Sequence, residues 1–456
     1  MAARTTMKAF LTALVILAVA GSLVFLAVNN HEAVLDGGIC KGCNIVLVTV
    51  DSLRYDRLGC YGYPKGTSPN TDSICANSVV FDSAISQSTW TKPALASLMT
   101  SKYVSEHHVV GRPGDDDEGD LQVLPESETT LAEIFRGRGY STAAFFANGM
   151  IGDGSGFDQG FDVFYSPNVE ISWEDAWDEN VTDRAVSWLG EREGPGKFLL
   201  QIHYISPHAD YEPPSGFMKV AGPDAPEGSY NFSGKHQDDL FYANLTGPDL
   251  EELSARYDGE VRFLDSQIGR LLEKLNEIGA GNRTIFVITS VSGELLGEQK
   301  GKDGARIFGH GHMVPEVVYV PLIVAYPGLQ GTLRRGNVAE LVDILPTLLS
   351  LSAGGNENDR PVFSGANLFR GKESGFSDSV FVPGSRLLGI AEEGKMIAYF
   401  CSVLNSEGPE TSGFSRASDG TWIRNESLGA PQDFDLRKEM YFSKGELIDG
   451  YNFVDC

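Results

Sequence analysis

One short apolar run constrains the fold of this chain more than any other feature. Residues 45–50, Ile-Val-Leu-Val-Thr-Val, are mostly β-branched and are followed directly by the acidic Asp51. Such a run is typical of a strand that is buried on both faces, as in a parallel sheet. Ligands of open α/β sheets bind beyond the carboxyl ends of the strands, so Asp51 is a candidate site residue.

Helix-like and strand-like segments alternate after this strand, which predicts an α/β domain over residues 44–355 with a mostly parallel sheet between helices. Residues 356–456 are rich in glycine, serine and asparagine and predict a small C-terminal subdomain with antiparallel strands. The predicted helices are 93–99, 130–137, 175–192, 250–278 and 339–351, and the further predicted strands are 141–146, 198–204, 284–289 and 320–325.

The N-terminus carries a long stretch without charge. Residues 1–8 contain two basic side chains, and residues 9–28 are mostly apolar. Twenty such residues make roughly 30 Å of helix, which is enough to cross a bilayer. Basic residues on one side only predict a cytoplasmic tail at 1–8, a transmembrane anchor at 9–28, a tether at 29–43 and a main domain outside the cell membrane. A cleaved signal peptide is the alternative, because residues 18–20 resemble a cleavage site.

Charge and cysteine content narrow the possible partners. The formal net charge of −26 argues against nucleic acid and fits either a high-salt surface or ordinary acidic solubility. An even number of cysteines permits disulfides in an exported protein but leaves their pairing open. Five glycosylation sequons agree with an extracytoplasmic domain. The cysteines are at 40, 43, 60, 75, 401 and 456, and the sequons are at Asn180, Asn231, Asn244, Asn282 and Asn425.

Four groups of chemically active side chains lie at predicted strand ends or helix starts. They are Asp51, the segment 88–100 with Thr91, the segment 203–214 with His203 and His208, and the segment 290–294 followed by His310 and His312.

Together these groups resemble the sulfatase family of the alkaline phosphatase superfamily, which implies an alkaline phosphatase-like α/β fold. The resemblance covers nearly all of residues 44–355, and residues 308–321 resemble archaeal members in particular. The matching segments are Asp51 with Gly59-Cys-Tyr-Gly62, Thr91-Lys-Pro93 with Leu98-Met-Thr100, His203-Tyr with Pro207-His208, Tyr257-Asp-Gly-Glu260 with Asp265, and Leu341-Val-Asp343-Ile-Leu-Pro346-Thr347.

The resemblance also implies a reaction. In that family carboxylates hold a divalent cation, calcium or a similar ion, and a nucleophile at a helix start attacks the sulfur or phosphorus of an ester. Carried over to this chain, Thr91 is the nucleophile, His203 and His208 are catalytic, and Asp51 and His310 are metal ligands. A cation and a helix N-terminus both stabilise anionic oxygens, and a histidine can protonate the leaving oxygen.

Several positions depart from the family pattern. The nucleophile is Thr91 rather than a modified cysteine or serine, its usual arginine partner is Leu95, and Ser52 replaces a second acidic residue. Val291 and Ser292 stand where the family has metal ligands, and neither offers a good ligand to a hard cation. The alternative is therefore a catalytically inactive surface or structural protein, with surface partners or self-association and without a cofactor.

Purely structural roles also remain open for the same residues. Asp51 could be a hydrogen-bonded strand-end residue, and Thr91 could simply cap a helix. His310 and His312 could be loop residues, or they could supply a metal site of different geometry.

Overall fold

The structure is a computed structural model of the 456-residue chain. It describes residues 40–110, 123–167, 178–218, 228–300, 306–353 and 363–369, with gaps of one to three residues inside some of these ranges, and four strands between 386 and 425.

An eight-stranded sheet forms the centre of the main domain, in the order β10-β2-β9-β6-β1-β5-β3-β4. Strand β9 is antiparallel to both of its neighbours, and all other adjacent pairs are parallel. Seven strands therefore run in one direction. The strands are β1 Asn44–Val50, β2 Ser78–Ile85, β3 Ser141–Phe146, β4 Val163–Tyr165, β5 Phe198–Tyr204, β6 Thr284–Ser290, β7 Leu295–Lys300, β8 Arg306–Gly309, β9 Tyr319–Ala325 and β10 Leu333–Glu340, of which β7 and β8 form a separate hairpin.

Helices cover both faces of this sheet. Ile45 and Leu47 of β1 belong to one apolar cluster with α2, α3 and α6. Val46, Val48 and Val50 belong to a second cluster with α1, α4 and α5. All seven residues of β1 are buried, as its continuous apolar sequence predicts. The described α-helices of seven residues or more are α1 Pro69–Cys75, α2 Thr91–Thr100, α3 Leu131–Gly137, α4 Asp178–Glu191, α5 Gly247–Glu277 and α6 Ile344–Ala353.

Most predicted segments agree with the structure, and the exceptions have local reasons. The sequence did not predict strand β2, because Asp82 and Ser83 interrupt its apolar run. The helix predicted from 339 begins at Ile344 instead. Residues 333–340 form β10, which pairs with β2 at the sheet edge and is largely exposed, so it lacks the apolar pattern of a central strand.

Several expectations fall at the limits of the described residues. No helix in the described part of the chain is long and apolar enough to span a membrane, and residues 9–28 lie outside that part. The described strands of the tail form an antiparallel sheet, β11 Arg386–Glu392, β12 Lys395–Cys401, β13 Glu410–Arg416 and β14 Trp422–Asn425. Disulfides join Cys40 to Cys43 and Cys60 to Cys75, which resolves two of the pairings that the sequence left open.

The turn after β6 allows a direct test of close packing. A Cβ added at Gly293 would overlap the carbonyl oxygen of Glu316. The backbone cannot easily yield, because the Gly293 amide donates to the Val317 carbonyl at 2.6 Å. We expect Gly293→Ala to lower the free energy of unfolding by about 1–3 kcal/mol, measured by chemical denaturation. Gly311→Ala is the control, since no atom lies within 4 Å of its added Cβ. Equal stability of the two variants would contradict this account of the turn.

Candidate active site

The centre of the site is a hydrogen bond between a strand end and a helix start. Asp51 follows β1 and is 1% exposed, and Thr91 is the first residue of α2 and is 2% exposed. The Thr91 hydroxyl donates to Asp51 Oδ1 at 2.8 Å. Trp90 occupies the N-cap position of α2, so the Thr91 side chain does not cap the helix. Ser52 turns the chain directly after Asp51 with a φ of 59°, a conformation that residues other than glycine rarely adopt.

Two neighbouring strands supply donors to the second oxygen of this carboxylate. Asn148, just beyond β3, donates its Nδ2 to Asp51 Oδ2 at 2.7 Å. His203 of β5 places its Nε2 3.2 Å from the same oxygen. The other ring nitrogen of His203 lies 2.9 Å from the hydroxyl of Thr49. Both oxygens of Asp51 are therefore engaged by donors from within the protein.

This surrounding keeps Asp51 ionised despite its burial. Burial by itself raises the pKa of the Asp51 carboxyl, but the charge and hydrogen bond of His203, the charge of His208 and the Asn148 amide outweigh it. The net effect lowers the pKa to about 2. The charged form is thus held by donors rather than by solvent.

A second buried carboxylate lies nearby, at Glu294. Its Oε1 accepts from the hydroxyl of Tyr211 at 2.5 Å, and its Oε2 lies 3.3 Å from Nδ1 of His310. Burial raises the pKa of Glu294, whereas His310 and then His208 lower it, and the net shift is downward. The ring of His310 also stacks on Trp90 with centroids 5.3 Å apart, which connects this pair to the start of α2.

His208 stands between the two carboxylates. Its ring centroid lies 4.9 Å from that of His310, and it is close enough to Asp51 and Glu294 to lower the pKa of both. Its Nδ1 lies 2.6 Å from the carbonyl oxygen of Ala209.

The loop that carries His208 rests on buried carboxyl groups. Asp178 accepts the amides of Ile205 and Ser206 at 2.8 Å and 3.1 Å. Burial raises the pKa of Asp178 to about 7. Burial, followed by the nearby charge of Asp178, raises the pKa of Glu260 to about 8 even though the Ser206 hydroxyl opposes the shift.

The turn after β6 contains Val291 and Ser292, the two positions at which the family resemblance implies metal ligands. The Val291 side chain is fully buried in the apolar cluster of α2, and its amide donates to the Val50 carbonyl at 2.9 Å. The carbonyl of Ser292 accepts from Ser290 Oγ at 2.6 Å. The turn therefore lies against the end of β1 but presents an apolar side chain there.

Three of the five predicted site residues meet directly, and two lie beside them. Asp51, Thr91 and His203 share one hydrogen-bonded group. His208 faces that group, while His310 contacts Glu294 rather than Asp51. His312 lies outside the described residues.

Asn148, Glu294 and Tyr211 are not among the site residues that the sequence predicts. Asn148 lies just beyond the end of β3, as Asp51 lies just beyond the end of β1. This strand-end position was the signal in the sequence that could have identified Asn148 as a site residue.

Comparison with known proteins agrees with this geometry. Residues 43–354 match the Sulfatase family. The chain belongs to the sulfatase family. An arylsulfatase of Clostridium perfringens is 25% identical over 374 residues, which cover 68% of this chain and 74% of the relative. A low-salt glycan biosynthesis sulfotransferase of Haloferax volcanii is 27% identical over 313 residues, which cover 67% of this chain and 60% of the relative.

The fold is also that of solved sulfatase-like structures. The crystal structure of a phosphonate monoester hydrolase of Agrobacterium radiobacter superposes with a TM-score of 0.62 at 19% identity, covering 82% of this chain and 89% of that one. The alkaline phosphatase-like α/β fold implied by the resemblance is therefore confirmed, with its mostly parallel central sheet.

The donor set around Asp51 does not fit the divalent cation that the family resemblance implies. Both oxygens of Asp51 accept hydrogen bonds from protein donors, and the Val291 side chain is apolar and buried. Within the described ranges, no group of three His, Cys, Asp or Glu side chains is arranged to hold an ion. One carboxylate without further oxygen ligands makes a weak site for a hard cation.

The buried carboxyls under the His208 loop predict a dependence of stability on pH. The folded-state pKa of Glu260 is raised to about 8, so the folded protein retains a proton that the unfolded chain has released. This contribution is full below the ordinary pKa of 4.5 and is lost as pH rises towards 8. We expect the free energy of unfolding to fall between pH 5 and 8, with a contribution of roughly 1 kcal/mol per pH unit from Glu260.

Chemical denaturation of Glu260→Gln across this pH range checks the assignment, because the amide does not titrate and the slope should flatten. Glu277→Gln is the matched control, since Glu277 is 68% exposed. An unchanged slope in Glu260→Gln would show that this group does not titrate in the expected range.

Restoring the family ligands should restore ion binding. The double variant Val291→Asp with Ser292→His places a carboxylate and an imidazole beside the end of β1, where the family resemblance implies a cation. We expect calorimetric titration to show tighter binding of calcium, magnesium, manganese or zinc than in the wild type. Val291→Leu with Ser292→Thr adds no strong ligand and is the control. If the affinity of the first variant equals that of the control, residues 290–294 do not correspond to the family's ligand segment.

Proposed function

We propose that this protein transfers the sulfuryl or phosphoryl group of an ester, with Thr91 as the nucleophile. The observation that carries the proposal is the 2.8 Å hydrogen bond from the Thr91 hydroxyl to Asp51 at the first turn of α2. A hydroxyl beside a carboxylate has an acceptor for its proton. A helix start offers amide donors to the anionic oxygens of the ester.

The covalent step follows from these positions. Thr91 Oγ1 forms a bond to sulfur or phosphorus while the bond to the ester oxygen breaks, and the hydroxyl proton passes to Asp51. His208 donates a proton to the leaving oxygen. Water in a hydrolase, or an acceptor hydroxyl in a transferase, then attacks the sulfur or phosphorus of the threonine ester. The proton of that water or hydroxyl passes to His208, the bond to Thr91 Oγ1 breaks, and Asp51 returns the proton to that oxygen.

The strength of Asp51 as a base sets the character of this reaction. A carboxylate with a pKa of about 2 accepts a proton poorly. Asp51 therefore orients the Thr91 hydroxyl in the ground state and receives its proton late. A loose transition state is compatible with such a weak base, because bonding to the nucleophile is then incomplete and the charge is spread over the equatorial oxygens. Slow turnover is the expected consequence.

The named relatives support sulfate esters as the substrate class. One similar protein is an arylsulfatase, and another is a sulfotransferase of glycan biosynthesis. The second name supports the transfer branch of the mechanism, in which an acceptor other than water receives the group. Phosphate esters remain in the proposal because the same threonine chemistry serves both groups.

An inactive scaffold is the second candidate, and a specific observation favours it. Val291 places an apolar side chain where the family pattern expects a ligand, so the family's electrostatic activation of nucleophile and ester is absent from the described residues. In this case the domain binds surface partners or other copies of itself through the sulfatase scaffold.

We propose that this is a single-pass cell-membrane protein whose main domain is extracytoplasmic. Residues 9–28 and the basic residues before them support this proposal, as do the five sequons in the main domain and tail.

The role of Thr91 can be tested by turnover. We expect wild-type protein to hydrolyse 4-nitrophenyl sulfate or 4-nitrophenyl phosphate, and Thr91→Ala to lower kcat/KM by roughly 1,000-fold or more because it removes the nucleophile. Thr91→Ser retains a hydroxyl and should keep measurable activity. Circular dichroism establishes that each variant is folded. Turnover that survives in Thr91→Ala would overturn the assignment, and a wild type without turnover on any ester would favour the scaffold.

A further inference from the structure

The Asp51 carboxylate is compensated by three donors from three separate elements. Thr91 of α2 engages Oδ1 at 2.8 Å, while Asn148 after β3 and His203 of β5 engage Oδ2 at 2.7 Å and 3.2 Å. Asn148 makes the shortest of these contacts. A buried carboxylate needs such donors, because an uncompensated charge in the interior is very costly.

The orientation of Asn148 is fixed by its own surroundings. Its Oδ1 accepts the amide of Met150 at 2.9 Å, which leaves only its NH₂ group to face Asp51. The backbone carbonyl of Asn148 accepts a hydrogen bond from Ser166 Oγ at 3.1 Å. The amide of Ala147 donates to the His203 carbonyl at 2.8 Å, so the end of β3 is locked beside β5. Asn148 and His203 therefore converge on one oxygen as a result of strand register.

These contacts place hydrogen-bond donors where a metal-binding carboxylate would have its ion. A cation on Oδ2 would have to displace both the amide of Asn148 and the imidazole of His203. The Asn148 amide cannot turn around to offer its oxygen without losing the Met150 amide. Val291 brings no replacement ligand to the same strand end.

We propose that Asn148 and His203 together compensate the charge of Asp51 in place of a cation, so that the folded protein holds this carboxylate without any metal. Asn148 is a positioning residue in this arrangement, since it acts only through Asp51. The proposal does not depend on turnover at Thr91, because it concerns what holds the carboxylate in the resting protein.

Two substitutions at one position separate this arrangement from a metal site. Asn148→Asp keeps the shape of the side chain but sets a second carboxylate against Asp51, so the two charges repel and together invite a divalent ion. Asn148→Ala removes the donor and leaves Oδ2 open on one side. Asn70→Ala is the matched control, because Asn70 Nδ2 also donates to an aspartate, Asp265 Oδ2 of α5, at 3.0 Å.

The measurement is the melting temperature of the full chain in EDTA and in 5 mM calcium, magnesium, manganese or zinc, at constant high monovalent salt to screen the acidic surface. We expect wild type to differ by less than about 1 °C between EDTA and any ion, and Asn70→Ala to behave in the same way. We expect Asn148→Asp to melt lower in EDTA and to recover by about 3 °C or more when an ion is added. Asn148→Ala should melt below wild type.

Other results would overturn the proposal. If the wild type melts lower in EDTA and recovers with an ion, a metal already holds the carboxylate. If Asn148→Ala melts like wild type, or if Asn148→Asp shows no ion-dependent recovery, Asn148 does not compensate Asp51. None of these outcomes decides whether Thr91 is a nucleophile, so the two proposals fail independently.

Discussion

A carboxylate at the buried end of a central strand has to be neutralised by whatever surrounds it, and in this protein the surroundings of Asp51 organise the whole site. The group is 1% exposed and still ionised, with a pKa lowered to about 2. Hydrogen bonds to an ionised group are stronger than neutral ones, so the three donors position one another through the shared acceptor. Their loss would leave a buried charge unpaired, which explains why three elements converge there.

The sheet makes that convergence possible. Strands β3, β5, β1 and β6 are adjacent and parallel, so their carboxyl ends open onto the same edge. Asn148, His203, Asp51 and the turn at Val291 follow from those four strands. The start of α2 completes the edge, and the hydroxyl of its first residue, Thr91, donates to the carboxylate. The arrangement agrees with the general rule that open α/β sheets bind ligands beyond the carboxyl ends of their strands.

A second group of interacting polar side chains, centred on Glu294, lies beside the hydrogen bonds of Asp51. Glu294 is held by Tyr211 and His310, and His208 interacts with both buried carboxylates. The site thus alternates carboxylates with imidazoles. Asp178 and Glu260, whose pKa values are raised, lie under the same loop, so their titration acts on the support of His208.

The sequence alone determined the α/β class, the central strands and the family. A β-branched apolar run such as β1 is typical of a strand buried on both faces, and the long amphipathic pattern of α5 needs no tertiary information. It also placed Asp51, Thr91 and His203 at element ends, where a parallel sheet brings them together. Edge strand β10 escaped prediction, because half-exposed residues carry no continuous apolar signal.

Only the tertiary structure decided which partners these residues have. Strand order is not sequence order, so the strand-end position of Asn148 did not by itself show that it would reach Asp51. The sequence likewise did not show that His310 would contact Glu294 instead of Asp51. The burial of Val291 in the core likewise depends on the helix packed against that turn. Hydrogen bonds between residues about 100 positions apart, such as that from Asn148 to Asp51, are set by strand register, and register exists only once the sheet is assembled.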